Sequence, residues 1–345
     1  MQQGSIHNVR GVDLMKLTEW LVENGIPFQE NVDISRLSQI KAGGVFRVLV
    51  KPETEAHLAA LLKKIAAESL PYKVIGNLSN VLFRDGEIRT IAISTRGLRA
   101  LSFATDGTVT AEAGVMLPTL ARKLVQSGNK GFAGLIGVPA SVGGAVFMNA
   151  SCYGDATSDY LVDVRCLDQL GNVHVFSATD LSFSWRHSAF HDRLGGYVII
   201  SVRFNPMPGD QEVELRREEG IKTHRRTYQE KNFQNLGSTF ATRDIYGDLT
   251  RFFLGYRIGL MFVKGFIRIL GGDRHHQYAA LARRFTMDYF RLKGRPNIDF
   301  SENTFNCVIN RGGAKADEII EFVQIAHTAV DKCIPLEIEL LKDIE

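Results

Sequence analysis

Gly134-Leu135-Ile136-Gly137-Val138-Pro139-Ala140-Ser141-Val142-Gly143-Gly144-Ala145-Val146-Phe147-Met148-Asn149-Ala150 runs without a single charge and holds four glycines. A purely structural core segment does not need so many small residues in a row. They suit a backbone that lies against a large flat ligand, because glycine lets N–H groups approach closely. The run is not the GxGxxG dinucleotide fingerprint: the strand–glycine–helix context and the downstream acid are wrong, and the lysine of a P-loop is missing. A second segment lies upstream, Ile75-Gly76-Asn77-Leu78-Ser79-Asn80-Val81-Leu82-Phe83. There a strand feeds a tight polar turn in which Ser79 and Asn80 supply side-chain donors. Taken alone, this shorter segment reads equally well as a plain hairpin turn.

Periodicity organises the chain around these two segments. Helical spacing predicts helices over 13–24, 54–67, 117–127, 212–228 and 316–332. Short alternating or apolar runs predict strands at 46–50, 72–75, 90–94, 108–113, 160–168, 173–177, 197–204, 306–310 and 336–341. Pro206-Met207-Pro208-Gly209-Asp210 reads as a boundary. Strands mixed with helices, without strict βαβ alternation, indicate an α+β protein. No internal repeat is evident.

Composition narrows the classes. The chain has 345 residues, 45% hydrophobic and 23% charged, with a mean hydropathy of −0.05. That is ordinary globular composition and argues against a membrane-embedded protein. The N-terminal residues show no basic region followed by an apolar core, so no secretory signal is expected and the protein reads as cytoplasmic. Cys152, Cys166, Cys307 and Cys333 are scattered, which predicts reduced, mostly buried thiols and no metal site. The net charge of +3 conceals an asymmetry: residues 245–295 carry ten Lys or Arg against three acids, +7, leaving −4 for the rest. Such a patch attracts phosphates, nucleic acid or an anionic surface. Its cations are interleaved with aliphatics and match no nucleic-acid motif, so no nucleic-acid partner is expected.

The two glycine-rich segments, in this order and separation, resemble those of the UDP-N-acetylenolpyruvoylglucosamine reductase (UDP-N-acetylmuramate dehydrogenase) family. Gly76–Leu82 matches that family's glycine-rich-Ser-Asn-Leu-Leu loop. Gly137–Ala145, then Met148-Asn149-Ala150 and Tyr153-Gly154, match its longer segment, and Lys41-Ala42-Gly43-Gly44 fits its early Arg-Ile-Gly-Gly. The resemblance covers roughly 35–243 and 292–345. It implies a two-lobed FAD-binding fold of the vanillyl-alcohol-oxidase (PCMH) type, with an α+β substrate domain at the C-terminus. The expected division is 1–97, an N-terminal helix and first FAD subdomain; 98–208, the second; and 209–345, the substrate domain. FAD would be held by Lys41, Gly43, Gly76, Asn77, Leu78, Ser79, Asn80 and Val81. On the second segment the expected contacts are Gly137, Val138, Pro139, Ser141, Val142, Gly143, Gly144, Ala145 and Asn149.

The family reduces an enolpyruvyl ether on a nucleotide sugar. NADPH gives hydride to the flavin, which passes it to the vinyl carbon. The neighbouring carbon then carries anionic character beside a carboxylate, so the site needs a cation and a proton donor. By motif, Arg186 in Phe183-Ser184-Trp185-Arg186-His187-Ser188 matches the arginine of Tyr-Arg-x-Ser. Ser238 in Gly237-Ser238 matches the proton donor, and Glu339 in Leu336-Glu337-Ile338-Glu339 matches the carboxylate completing the site. Trp185, Arg226, Gln229 and Asn235 are the expected substrate contacts. His187 and His191 read as exposed loop side chains.

The chain departs from the family in several places. Trp185 stands for Tyr, Leu78 and Ala140 for loop glycines, Ala241 for a lysine and Thr304 for a histidine. An insertion of about 245–291 precedes Leu292-Lys293-Gly294. Its stretch 252–270 is apolar but carries a cation every few positions, so it does not read as a bilayer span. Three readings stay open for it: an extra core or lid element, an oligomer contact, or peripheral contact with a membrane surface. The departures also keep two alternatives to the cell-wall precursor reductase. One is a paralogous flavoenzyme acting on another nucleotide sugar or small metabolite, the other a non-catalytic FAD-binding member.

Overall fold

Leu58, Leu61, Leu62 and Ile65 recur at three- and four-residue spacing, and Glu55–Ala67 is a helix that buries all four. Thr54 closes its N-terminus by accepting a hydrogen bond from the His57 N–H at 3.1 Å. The computed structural model describes residues 14–270 and 274–341. This helix and Leu14–Glu23 share a core with a mixed sheet ordered Phe28–Asp33, Val45–Val50, Ile91–Ser94, Tyr72–Ile75. The first pair is antiparallel and the inner pairs are parallel.

A second sheet is antiparallel throughout, ordered Val173–Ser177, Leu161–Leu167, Val198–Phe204, Val109–Glu112, Leu101–Phe103. Helix Leu117–Gln126 packs on it through Leu120, Ala121, Leu124 and Val125. Leu167, Val198 and Ile200 reach into the first sheet's core, so the two lobes share apolar contact. The glycine-rich run folds as a short 3-10 helix, Ala133–Gly137, and a six-residue helix, Val142–Phe147.

A third layer pairs Gln234–Asn235, Val308–Asn310 and Ile298–Phe300 under the helix Ala316–Ala329. The last strand, Glu339–Leu341, leaves this layer and pairs in parallel with Val81–Phe83, directly after the first glycine loop. It is shorter than the expected 336–341 because Leu336 bridges to Phe240 instead. The Asp85 carboxylate accepts from the N–H groups of Ala316 at 3.2 Å and Asp317 at 2.9 Å. A helix start is thereby fixed to the end of the strand beside the glycine loop. Burial pushes the Cys166 and Cys307 thiols up to about 12, which makes them inert at neutral pH.

Between these elements lie three helices, Ile245–Phe252, Leu254–Leu270 and Arg274–Tyr289. Leu249, Tyr256, Leu260, Ala282 and Met287 join the C-terminal core. The Tyr256 hydroxyl meets Thr286 Oγ1 at 2.8 Å, so the buried phenol keeps a partner. One face of the insertion is therefore an addition to the core. Among the described residues no helix is long and apolar enough to cross a membrane.

Candidate active site

The two glycine-rich segments meet. Asn77 Nδ2 donates to the Pro139 carbonyl at 2.6 Å, and Arg96 donates to Asn77 Oδ1. Ser141 caps Val142–Phe147 by accepting from the Gly144 N–H. At Gly137 a Cβ would sit 1.1 Å from Arg225 Nη1, so the guanidinium occupies the space that any larger residue would fill. The same guanidinium donates to the Gly134 carbonyl at 3.0 Å and touches Cys152 Sγ. The result is one wall, largely of backbone, along a cavity of about 1220 Å³. That volume exceeds the roughly 300–1,000 Å³ of ordinary small-molecule sites and suits a dinucleotide together with a substrate. A wall of backbone N–H groups and small side chains fits FAD.

Leu78 stands where the resembling family has glycine. Its φ is +50°, a conformation costing a side chain about 1–2 kcal/mol. Its side chain is buried with Ile34, Ile75 and Phe83. Burying a leucine is worth roughly 1.5–3 kcal/mol, so burial offsets the backbone cost.

Arg186 sits in a tight turn closed by mutual hydrogen bonds between Ser184 and His187, with φ +55° at the arginine. Asn149 Nδ2 donates to the Ser184 carbonyl at 2.9 Å, tying this turn to the end of the second glycine segment. Arg186 Nε lies 3.0 Å from Glu337 Oε1, and the Glu337 side chain is only 7% exposed. Burial pushes the Glu337 carboxyl up to about 7 despite the opposing guanidinium. Two residues on, Glu339 Oε1 accepts from Lys73 Nζ at 2.7 Å. The backbone joins these groups to the serine. Thr239 O accepts from the Glu337 N–H, Asn80 Nδ2 donates to the Glu337 carbonyl, and the Glu339 N–H donates to Asn80 O, each at 2.9 Å. Ser238 and both glutamates therefore belong to one framework with the first glycine loop, and all three line the cavity.

The structure gathers most of the expected residues. Gly76 to Val81, Gly137, Val138, Pro139, Ser141, Gly143 and Gly144 line the cavity, as do Arg186, Gln229, Asn235, Ser238 and Glu339. Val142 and Ala145 are buried behind the wall. Lys41 and Gly43 lie off the lining, where Lys41 Nζ donates to the Arg36 carbonyl. Arg226 is exposed and off the lining, whereas its neighbour Arg225 is on it. Trp185 lies beneath two guanidinium groups, Arg243 at 4.4 Å and Arg186 at 5.3 Å from its ring centre. His191 packs on Phe147 at 4.1 Å, and partial burial lowers its pKa.

Sequence reasoning missed Arg225, Arg243, Glu337 and Lys73, and also Tyr153, whose hydroxyl meets His224 Nδ1 at 2.8 Å. For Glu337 the signal was present, since Leu336-Glu337-Ile338-Glu339 puts two carboxylates at alternate positions. For Arg225 it was not, because Arg225-Arg226 leaves the facing residue undecided until the helix Gln211–Tyr228 is placed.

An FAD binding domain model matches residues 46–177. UDP-N-acetylenolpyruvoylglucosamine reductase of Streptococcus pneumoniae is 36% identical over 230 residues, 66% of this chain and 75% of that protein. The enzyme of the same name from Clostridioides difficile is 30% identical over 290 residues, 84% of each chain. Among solved structures, UDP-N-acetylenolpyruvylglucosamine reductase from Thermus caldophilus shares the fold with a TM-score of 0.66 at 24% identity, over 92% of this chain and 98% of that one. The two lobes form an FAD-binding fold of the PCMH type, and FAD is the cofactor.

Proposed function

This chain belongs to the UDP-N-acetylenolpyruvoylglucosamine reductase family, and on that premise we propose that it reduces the enolpyruvyl ether of UDP-N-acetylglucosamine-enolpyruvate to UDP-N-acetylmuramate, with NADPH as hydride donor. The observation that carries this reading is the Arg186–Glu337 pair in one cavity with Ser238 and Glu339. FAD, when bound, supplies the hydride chemistry between nicotinamide and vinyl carbon.

The protein's part is positioning and charge. Glu337 pairs with Arg186 by charge from the Nε side, without hydrogen-bond geometry, and the two Nη groups take the substrate carboxylate. With the Glu337 carboxyl at about 7, a fraction of the pair is net positive near neutral pH, which favours an anion there. Ser238 gives a proton to the carbon beside that carboxylate and regains it from solvent. Glu339, held by Lys73, completes the polar wall, and Gln229 and Asn235 contact the sugar nucleotide. In this reading 209–345 is the substrate-binding unit, and the enzyme works in the cytoplasm on a soluble nucleotide sugar.

Purified protein should be yellow, lose its flavin absorbance with NADPH under anaerobic conditions, and regain it on addition of the enolpyruvyl substrate. If NADPH bleaches the flavin and that substrate does not restore it, the substrate assignment falls and the flavoenzyme stands. A paralogous activity on another nucleotide sugar is the second reading. It is favoured by Arg243 in the cavity, close to an alanine where the family carries lysine. A screen of nucleotide sugars against the reduced flavin separates the two.

A further inference from the structure

Helix Leu254–Leu270 has two apolar faces, and only one is used. Tyr256, Leu260 and Ile267 are buried. Leu254, Ile258, Met261, Phe262, Phe266 and Ile269 follow one another at steps of four, three, one, four and three, which is a second face along the whole helix. These side chains are exposed, Leu254 by 70%, Phe262 by 76% and Ile269 by 84%. Arg257, Lys264 and Arg268 run along one edge of this face at steps of seven and four, and the helix holds no carboxylate. Among the described residues neither Arg257 nor Arg268 has an ion-pair partner, and Lys264 lies over the Tyr278 ring at 5.7 Å. The face is about 25 Å long.

We propose that this face seats the enzyme on an anionic lipid surface, with the helix lying in the headgroup plane. Charge decides the occupant. In a twofold pairing the same patch must complement itself, and a cationic edge with no carboxylate on the helix gains no ion pair there and brings like charges closer. A protein partner needs about one hydrogen bond per 100–200 Å² of interface, and the six stripe residues offer none from their side chains. An apolar stripe with cations beside it fits an acyl boundary below and phosphate headgroups alongside.

The test is co-sedimentation of the FAD-loaded enzyme with phosphatidylglycerol vesicles and with phosphatidylcholine vesicles. Binding is expected to the first and not the second, and to weaken with salt. The pair Arg257→Gln and Arg268→Gln should lower partitioning by about 25-fold, roughly fivefold per cation. Phe262→Glu with Phe266→Glu should abolish it, with NADPH-dependent bleaching and melting temperature unchanged. Failure to bind phosphatidylglycerol vesicles overturns the proposal, as does equal binding by the glutamate variant. A dimer in light scattering that the glutamate variant dissociates, without vesicle binding, would assign the face to a second copy. None of these outcomes depends on which sugar nucleotide is reduced.

Discussion

In the glycine cradle every unusual residue has a neighbour within the chain: Gly137 has Arg225, Asn77 has Pro139 and Arg96, and Leu78 has Phe83. The helix Leu254–Leu270 differs, since its six outward apolar side chains are half or more exposed to solvent. A sequence oddity that the fold uses internally and one that it leaves outside look alike on paper. Substitution separates them, because changes at the cradle and its walls should damage the protein while changes on the outward face should not.

The largest effect is expected at Ser238. Ser238→Ala should lower kcat by roughly 10²–10⁴-fold, with NADPH still bleaching the flavin. Equal loss in both half-reactions would take the serine out of the substrate step. Gly134→Ala comes next, since its Cβ would lie 2.1 Å from the Cys152 carbonyl oxygen. Backbone cannot step aside, so about 3 kcal/mol of stability should be lost in denaturant melts. Gly137→Ala meets only the end of the flexible Arg225 and should lose less, and the reverse ranking would break the account of the cradle.

Glu337→Gln tests the wall opposite. The Glu337 carboxyl is raised from 4.5 to about 7, so the folded protein keeps its proton while the unfolded chain releases it. Its contribution to stability is full below pH 4.5 and is lost as pH rises through 7, up to about 3 kcal/mol. The difference in stability between wild type and variant should change by about that amount across this window, and a constant difference would refute the linkage. Arg243→Ala should raise KM by about tenfold, the size of one charge-assisted contact, with kcat little changed. The smallest effect is Phe262→Ser on the outward face, within about 0.5 kcal/mol of wild type by melting. A larger loss would mean that this face is covered after all.

Much of the fold was legible because its signals are local. The helix at 55–67 and the strand at 173–177 follow from spacing alone, and so does the helix expected at 316–332, which ends at Ala329. Strand Phe28–Asp33 was not, because FQENVD is a polar edge strand with no apolar alternation. In the site, Arg186, Ser238 and Glu339 were reachable by motif. Glu337 became visible as a partner only once the chain's end was laid beside the turn that carries Arg186. Pairings between distant segments leave no mark on either segment's own composition.

The last strand has a consequence for how the molecule is made. Lys73 and Glu339 are 266 positions apart, and Asn80 and Glu337 are 257 apart. Both lobes' sheets are complete by residue 204, but among the described residues the strand after the first glycine loop pairs only with Glu339–Leu341, and Gly137 packs on Arg225. The partners of Arg186 and Lys73 arrive only with the final few residues. A chain interrupted near its end would therefore keep both sheets but lack both carboxylates, and the strand beside the first glycine loop would lose its partner. It should emerge inert and hold its flavin less firmly, so the end of the chain closes the substrate site and the flavin loop together.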